Sequence, residues 1–260
     1  MSGQDRTRAD GGAAAPTGAV PLRLMTYNVR SMRDDVAAIG RVVRACRPDL
    51  LCVQEAPRFW GAGLKAARLA RACGLVTVAG GKAAAGPLLL ASLRVRIRDT
   101  RTLLLPRTPG LHQRGLAMAR VEVAGAPAVV ASCHLSLDAA ERAAQADRIR
   151  AELEAFAGGA PVLLAGDVNE PPGGAAWRRL LERYRDARAE APRGGEHTFP
   201  SAAPVRRIDA VFVSPGVTVA GCGVPVGGFG AATGDGGVTD ADLAAATDHR
   251  PVLAELLLGD

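Results

Sequence analysis

Short apolar runs that end in polar side chains recur along this chain, and they constrain its fold more than any other feature. Each run is followed by residues that can hold a metal ion or move a proton: Asn28 after residues 22–27, Glu55 after 50–54, His134 after 128–133, and Asp167 with Asn169 after 161–166. In α/β proteins, ligands gather at the carboxyl ends of strands. The repetition therefore predicts an α/β fold with one shared polar site at the edge of a sheet.

Two further segments carry acids or bases at strand positions. Asp209 lies inside the apolar run 207–213, where an ionised carboxylate is costly unless it is paired. Asp248 and His249 stand side by side just before the apolar run 252–256. An Asp-His pair entering a strand offers a carboxylate and a nitrogen base to a metal-bound phosphate, although a polar turn is the simpler interpretation of the pair alone.

Taken together, these segments resemble a known family. The chain is similar to the endonuclease/exonuclease/phosphatase superfamily, the metal-dependent phosphodiesterases typified by pancreatic-type deoxyribonuclease, in the ordered segments TYNVRS, DLLCVQE, SCHLS, AGDVNEPP, RIDAVFV and TDHRPV. The resemblance runs from about residue 22 to residue 258. It implies a deoxyribonuclease I-like α/β fold, a four-layer α/β/β/α sandwich in which two mixed sheets pack face to face and the active site lies at one end.

The resemblance also implies a Mg²⁺-dependent hydrolase of phosphate esters, with Mn²⁺ as an alternative ion. Glu55 is the best candidate for a metal ligand, because Mg²⁺ commonly takes one or two protein carboxylates and keeps its waters. Asp248 is the expected second carboxylate. Asn28 can coordinate the ion or bind a phosphate oxygen without adding repulsive charge. The alternatives are a surface Glu after a strand and an ordinary turn Asn.

Asp167 and Asn169 flank Val168, so in an extended backbone their side chains point to the same side. This arrangement suits a base that orients or deprotonates water, next to an amide that holds the phosphate. The alternative is an Asx turn before Pro171 and Pro172, which explains Asn169 more readily than the pair.

His134 and His249 lie in matching motifs, whereas His112 and His197 match none and are interpreted as loop residues. The resemblance assigns His249 to phosphate stabilisation or proton transfer. It assigns Asp209 to the buried carboxylate that fixes an imidazole's tautomer and raises its basicity.

The resemblance limits the substrate without naming it. His134 stands where the abasic-site repair branch typically has a tyrosine, which argues against that activity. Arg30 stands where that branch usually has an acid, which argues against carrying over a second metal site. Nucleic acid and small phosphodiesters both remain open as substrates. A catalytically silent phosphate-binding module is the alternative function, and retention of every matching polar position argues against it.

Charge and cysteine content are less specific. The net charge is +6, but nearly all basic residues are scattered arginines, which fits a compositional bias as well as phosphate contact. A positive field would favour any anionic substrate. The chain has 5 cysteines and no CxxC pair, so we expect buried free thiols in a reducing compartment.

The chain is expected to be one domain, residues 22–260, after a disordered tail over residues 1–21 that is rich in Gly, Ala, Asp and Arg. No apolar run approaches the roughly 20 residues of a membrane-spanning helix. We therefore expect a cytoplasmic monomer with no stable membrane insertion.

Helical spacing predicts helices from Asp35 to Cys46, over 59–73 and 175–184, and over 138–156 with Leu137, Ala140 and Ala144 on its apolar face. Consecutive antiparallel strands are predicted over 75–79, 88–93, 101–105, 115–123 and 128–134. The glycine-rich segment 224–247 is predicted to be either a mobile rim loop that closes over substrate or an ordinary exposed loop.

Overall fold

The computed structural model describes residues 18–230 and 237–259, in which two mixed six-stranded sheets pack face to face. The strands are β1 (Val20–Asn28), β2 (Leu50–Gln54), β3 (Val76–Gly80), β4 (Leu88–Ala91), β5 (Val95–Leu104), β6 (Gly115–Val123), β7 (Ala126–His134), β8 (Val162–Asp167), β9 (Arg185–Asp186), β10 (Asp209–Val213), β11 (Thr218–Gly223) and β12 (Val252–Leu258). The helices are α1 (Val36–Cys46), α2 (Ala62–Cys73), α3 (Ala139–Ala157), α4 (Ala175–Leu181), α5 (Ala187–Glu190) and α6 (Asp240–Ala246).

The two sheets share one design. The first has the order β11-β12-β1-β2-β4-β3 and the second the order β5-β6-β7-β8-β10-β9. Each contains one parallel pair near its centre, β1 with β2 and β7 with β8, and the remaining pairs are antiparallel. The carboxyl ends of β1 and β2 and those of β7 and β8 therefore meet at one end of the sandwich.

Three apolar clusters hold the layers together. The central cluster lies between the sheets and includes Leu24, Cys52 and Ala165. Outer clusters fix α1, α2 and α6 to the first sheet and α3 and α4 to the second. Strands such as β2 are buried along their whole length, which explains why they read as continuous apolar runs. The expected four-layer α/β/β/α sandwich is confirmed, and all five cysteines are buried free thiols.

Local signals place the helix ends. The Asp35 side chain accepts hydrogen bonds from the backbone amides of Ala37 and Ala38 and so caps α1. Gly74, with φ 72°, terminates α2 in the left-handed conformation that favours glycine. Helix α2 begins at Ala62, three residues after the predicted start at 59.

Several expectations need correction. Strands β4 and β5 follow each other in sequence but belong to different sheets, so the predicted antiparallel series is divided between the two layers. The apolar face predicted for α3 is wrong in its first half, where Leu137, Ala140 and Ala144 are exposed. Buried polar residues take their place: Glu141, Arg142 and Gln145. They bond to neighbouring loops, which apolar periodicity does not detect.

The chain termini and the glycine-rich segment also differ from expectation. Strand β1 pairs with β12 from Val20 onward, two residues before the predicted domain start. Residues 1–17 of the predicted tail lie outside the described residues. The same holds for 231–236 of the predicted gating loop, while 240–246 form α6 rather than a loop.

Gly166 lies in β8 directly before Asp167, where the backbones of β7 and β8 approach closely. A Cβ atom at this position would lie 2.0 Å from the Cys133 carbonyl oxygen. Gly166→Ala is therefore expected to lower the free energy of unfolding by about 1–3 kcal/mol, as overpacking does, and thermal unfolding measures the loss. The matched control is Gly63→Ala on α2, where nothing lies within 4 Å and alanine should be neutral or stabilising. Equal melting of the Gly166→Ala variant and the wild type would contradict the close approach.

Candidate active site

The sheet topology brings most of the predicted polar residues to one end of the sandwich. Asn28, His134 and Asp167 are the last residues of their strands. His134 is the register partner of Asp167 across the parallel pair, and Asp209, the first residue of β10, faces Asp167 from the antiparallel side. His249 precedes β12, which starts beside the end of β1.

Asp167 is the centre of the site. It is 1% exposed, and its Oδ2 accepts a hydrogen bond from Asn28 Nδ2 at 3.1 Å. The same oxygen lies 3.4 Å from His134 Nε2 and 3.9 Å from His249 Nε2. Burial, followed by the charge of Asp209, raises the pKa of Asp167 to about 7. A carboxyl group with this proton affinity suits a base that acts near neutral pH.

Asp209 and His249 form a buried pair. His249 Nδ1 donates to Asp209 Oδ2 at 2.9 Å, and the Phe199 ring packs on the imidazole with centroids 4.9 Å apart. Burial alone would lower the pKa of His249, but the Asp209 carboxylate, together with the charges of Asp167 and Asp248, raises that pKa to about 10. His249 is therefore a cation at neutral pH, with Nε2–H turned toward Asp167.

The segment around Thr198 holds this pair in place. Thr198 Oγ1 accepts hydrogen bonds from the amides of Ile208 and Asp209, and the Arg250 amide donates to the Thr198 carbonyl. Thr198 thus positions both the strand residue Asp209 and the chain directly after His249.

The second histidine has a different partner. Arg114 is buried and its Nη1 lies 3.1 Å from His134 Nδ1. Arginine can only donate, so Nδ1 must accept and the neutral ring carries its proton on Nε2. Burial and then the charge of Arg114 hold the pKa of His134 well below its usual range. The two histidines are thus in opposite states, His249 charged and His134 neutral.

Sequence reasoning missed Arg114. It directly precedes β6, whose antiparallel register pairs Leu116 with Cys133, so the start of β6 lies beside the end of β7. Pairing β6 with β7 was the one signal that could have identified it. Arg114 Nε is buried without a hydrogen-bond partner among the described residues.

Asn169 reaches the site by a route other than the predicted one. Its backbone has φ 57°, not an extended conformation, and its amide donates to Asp167 Oδ1 at 2.9 Å in an Asx-type turn. Its Nδ2 donates to the Leu135 carbonyl and lies 3.0 Å from His134 Nε2. With the ring proton on Nε2, these two nitrogens are both donors and do not hydrogen-bond to each other. The side chains of Asp167 and Asn169 therefore converge on His134.

Asn28 links Asp167 to Glu55. Asn28 Nδ2 also donates to Glu55 Oε1 at 3.2 Å, while its Oδ1 accepts from the Arg30 amide. Glu55 has φ 53°, a strained conformation for a side-chain-bearing residue that is typical of functional positions. The carboxylate of Glu55 is thereby oriented at the site by an amide rather than neutralised by a cation.

Asp248 is held by Arg30 and Thr247. Its Oδ2 is 3.3 Å from Arg30 Nε, and its Oδ1 accepts from Thr247 Oγ1 at 3.2 Å. No described hydrogen bond or ion pair connects Asp248 with Glu55. Of the three predicted metal residues, Asn28 hydrogen-bonds directly to Glu55. Asp248 is connected to Asn28 only through Arg30, whose side chain contacts Asp248 and whose amide donates to Asn28.

Two places in the site could hold a divalent cation, and they differ in how well their side chains suit it as ligands. Ligand atoms of Asp167, Asp209 and His249 lie within 4.8 Å of one another, but His249 is protonated on Nδ1 by its pairing with Asp209 and is charged. A cationic histidine is a poor ligand, since a ligating imidazole must be neutral. Glu55 offers carboxylate oxygen, the donor that Mg²⁺ prefers, and fits better.

Two other polar residues serve different purposes. Gln54 is buried and bonds to Thr26 in its own sheet and to Ser132 in the other, so it fixes the two sheets to each other behind the site. His197 is exposed, as expected for a loop residue. None of the described helices has the length and hydropathy needed to cross a membrane.

Comparisons with known proteins identify the family. The model of the Endonuclease/Exonuclease/phosphatase family matches residues 25–249. No curated protein matches the sequence as a relative.

Solved structures share the fold. An endonuclease/exonuclease/phosphatase from Bacteroides vulgatus is 19% identical with a TM-score of 0.76, over 92% of this chain and 100% of that one. A mannosyl-6-phosphatase from Bacteroides thetaiotaomicron is 17% identical with a TM-score of 0.73, over 90% and 99%. The human Nocturnin catalytic domain is 15% identical with a TM-score of 0.68, over 92% and 95%.

Proposed function

Because the chain belongs to the endonuclease/exonuclease/phosphatase family, we propose that it hydrolyses a phosphate ester with the help of a divalent cation, Mg²⁺ or Mn²⁺. The observation that carries the proposal is the meeting of the Asp209–His249 pair with Asp167 beside the Asn28–Glu55 link. Relatives in fold include a sugar phosphatase, which agrees with phosphate-ester chemistry.

Glu55 would hold the cation, with Asn28 orienting its carboxylate and Asp248 as a second oxygen donor. A bound divalent cation neutralises charge on phosphoryl oxygens and lowers the pKa of water. The placement of Glu55 next to Asn28 and Asp167 supports cation binding within reach of the base.

Asp167 orients and deprotonates the attacking water. Its raised pKa suits this role, and its contact with Asn28 directs Oδ2 into the site. His249 donates its Nε2 proton to the phosphoryl group or the leaving oxygen, and Asp209 stabilises the imidazolium. The pKa values of both groups are raised, which gives Asp167 the proton affinity of a base near neutral pH and leaves His249 a proton to donate.

His134 and Asn169 bind phosphoryl oxygens. The neutral His134 ring presents Nε2–H, and Asn169 offers an amide close to the same nitrogen. Donors fixed in advance of the reaction stabilise the charge that develops on the phosphoryl group.

A panel of phosphate esters tests the proposal. Sugar phosphates, inositol phosphates, mononucleotides, DNA, RNA and phospholipid headgroups are incubated with Mg²⁺, and released phosphate or cleaved ester is measured. Hydrolysis of at least one class is expected, and it should disappear in the Asp167→Asn variant. Saturable binding without turnover of any class would instead favour a silent phosphate-binding module.

Arg114 is proposed as the residue that fixes the His134 tautomer. In Arg114→Met, Nδ1 loses its donor, the proton can move to that atom, and Nε2 turns a lone pair toward Asp167. We expect kcat to fall by about tenfold to a hundredfold, the usual effect of losing a residue that orients a catalytic imidazole. Arg114→Lys, which keeps a donor, should recover part of the loss.

Nitrogen NMR separates this role from a purely structural one. The ¹⁵N shifts of His134 should report protonation on Nε2 in the wild type and a change in Arg114→Met. The matched control is Arg120→Met on β6, where the exposed guanidinium packs over Phe156. An unchanged tautomer in Arg114→Met would refute the assignment even if activity fell.

A further inference from the structure

An exposed aromatic pair lies beside the proposed site. Phe59 and Trp60 are 79% and 95% exposed, whereas no other aromatic ring in the described part of the chain is exposed. Leaving large apolar side chains in water is unfavourable, and clustered exposure commonly marks a binding surface. Both rings line a groove of about 900 Å³ together with Leu104, which is also exposed.

The same groove is basic. Arg58, Lys82 and His112 line it, and no carboxylate among the described residues does so. Arg58 Nη1 donates to the carbonyls of Ala85 and Gln113, and its guanidinium lies 5.8 Å from the centre of the Phe59 ring. A concave surface with uncompensated positive charge attracts an anionic ligand.

The chain connects the groove to the proposed site at two points. Arg58 follows Glu55 by three residues, and the Ala56 amide donates to Gly86, next to the groove residue Ala85. On the other side, the groove residue Gln113 precedes Arg114, which contacts His134.

We propose that this groove binds the organic part of the substrate, and that this part carries a flat aromatic ring and a second phosphate, as in a nucleoside bisphosphate. The inference rests on the phosphate-ester hydrolysis proposed above. The base stacks on Trp60 and Phe59, and the second phosphate pairs with Lys82 and Arg58.

The dimensions favour a small molecule over a polymer or a lipid surface. A volume of about 900 Å³ lies within the range of small-molecule sites. Both rings line this volume together with Arg58 and Lys82, so one small anionic molecule can contact the rings and the cations at once.

Kinetics on three substrates test the proposal: adenosine 3′,5′-bisphosphate, adenosine 5′-monophosphate and ribose 5-phosphate. In Trp60→Ala, the preference in kcat/KM for the monophosphate over ribose 5-phosphate should fall by about tenfold or more, the usual scale for losing a base-stacking ring. In Lys82→Met, the preference for the bisphosphate over the monophosphate should fall by roughly tenfold.

The chain offers matched controls for both changes. Leu93→Ala removes another exposed apolar side chain, 91% exposed and outside the groove. Lys65→Met removes an exposed lysine that does not line it. Neither variant should alter the preferences.

Fluorescence separates failure of this inference from failure of the proposed hydrolysis. Trp177 is buried, so added nucleotide should quench mainly Trp60. Saturable quenching by adenosine 3′,5′-bisphosphate in chelator, combined with no turnover of any ester in Mg²⁺, would support binding in the groove and refute the proposed hydrolysis. Hydrolysis of ribose 5-phosphate as efficient as that of both nucleotides, without quenching, would overturn the groove. The nucleotide assignment would also be refuted if DNA, RNA or anionic vesicles bound more tightly than adenosine 3′,5′-bisphosphate and Trp60→Ala weakened that binding.

Discussion

Chelation of divalent cations is expected to abolish hydrolysis of the phosphate ester, and added Mg²⁺ or Mn²⁺ to restore it. The carboxylates of Glu55, Asp167, Asp209 and Asp248 lie at one end of the sandwich, and Asp167 is buried beside Asp209. Asp209 and Asp248 are paired with His249 and Arg30, whereas Glu55 contacts an amide, so an anionic phosphate beside Glu55 would be repelled unless a cation offset that charge. Phosphate release is measured against metal concentration after exhaustive chelation.

Glu55→Gln tests which residue holds the cation. Loss of this ligand should raise the Mg²⁺ concentration needed for half-maximal activity by at least about tenfold. Glu154→Gln is the matched control, because Glu154 is an exposed helical residue paired with Arg183. Full activity of rigorously metal-free protein would refute metal dependence, and an unchanged Mg²⁺ requirement in Glu55→Gln would refute this ligand.

Much of the fold was predictable because its strands obey a simple rule. Strands that are buried on both faces toward their carboxyl ends finish at Asn28, His134 and Asp167, and a strand-terminal polar residue in an α/β protein faces the ligand edge. Two features were not predictable in this way. Apolar pattern does not state which sheet a strand joins, so β4 and β5 could not be assigned to separate layers.

The first half of α3 shows the second limit. Arg142 is buried because its guanidinium bonds to Glu170 at 3.0 Å, and Gln145 because it accepts from the Ser136 amide at 2.9 Å. These partners lie on loops near the site and are fixed only after the chain folds. Helical periodicity in apolar residues cannot detect a face buried by hydrogen bonds.

The same limit applies within the site. A buried carboxylate at Asp209 that supports an imidazole was predictable. The opposite charge states of the two histidines were not, because they depend on Arg114, which lies in none of the recognised sequence motifs. Asn169 was expected on an extended strand and instead reaches His134 from a left-handed turn. The types of residue and their order along the chain predicted that Asp209 and the histidines belong to one site. The protonation of each histidine depends instead on which residues the strand pairing brings next to it.

Asp167→Asn and His249→Ala are each expected to lower kcat by at least about a hundredfold, the usual scale for losing a positioned proton-transfer group. The Asp167 amide cannot accept the proton of water, and loss of His249 removes the only imidazole paired with Asp209. The fold should survive in Asp167→Asn, because an amide of the same shape removes a buried charge that faces Asp209. Turnover and thermal unfolding are measured on the same samples.

Two conservative changes elsewhere make these losses interpretable. Asp99→Asn alters an exposed carboxylate on β5, and His197→Ala removes an exposed histidine outside the site, so both should retain wild-type turnover. If Asp167→Asn lost activity only in step with a large fall in melting temperature, its effect would be structural rather than catalytic. Near wild-type turnover in either site variant would remove that residue from the mechanism, because no other described carboxylate lies within 4 Å of both histidines.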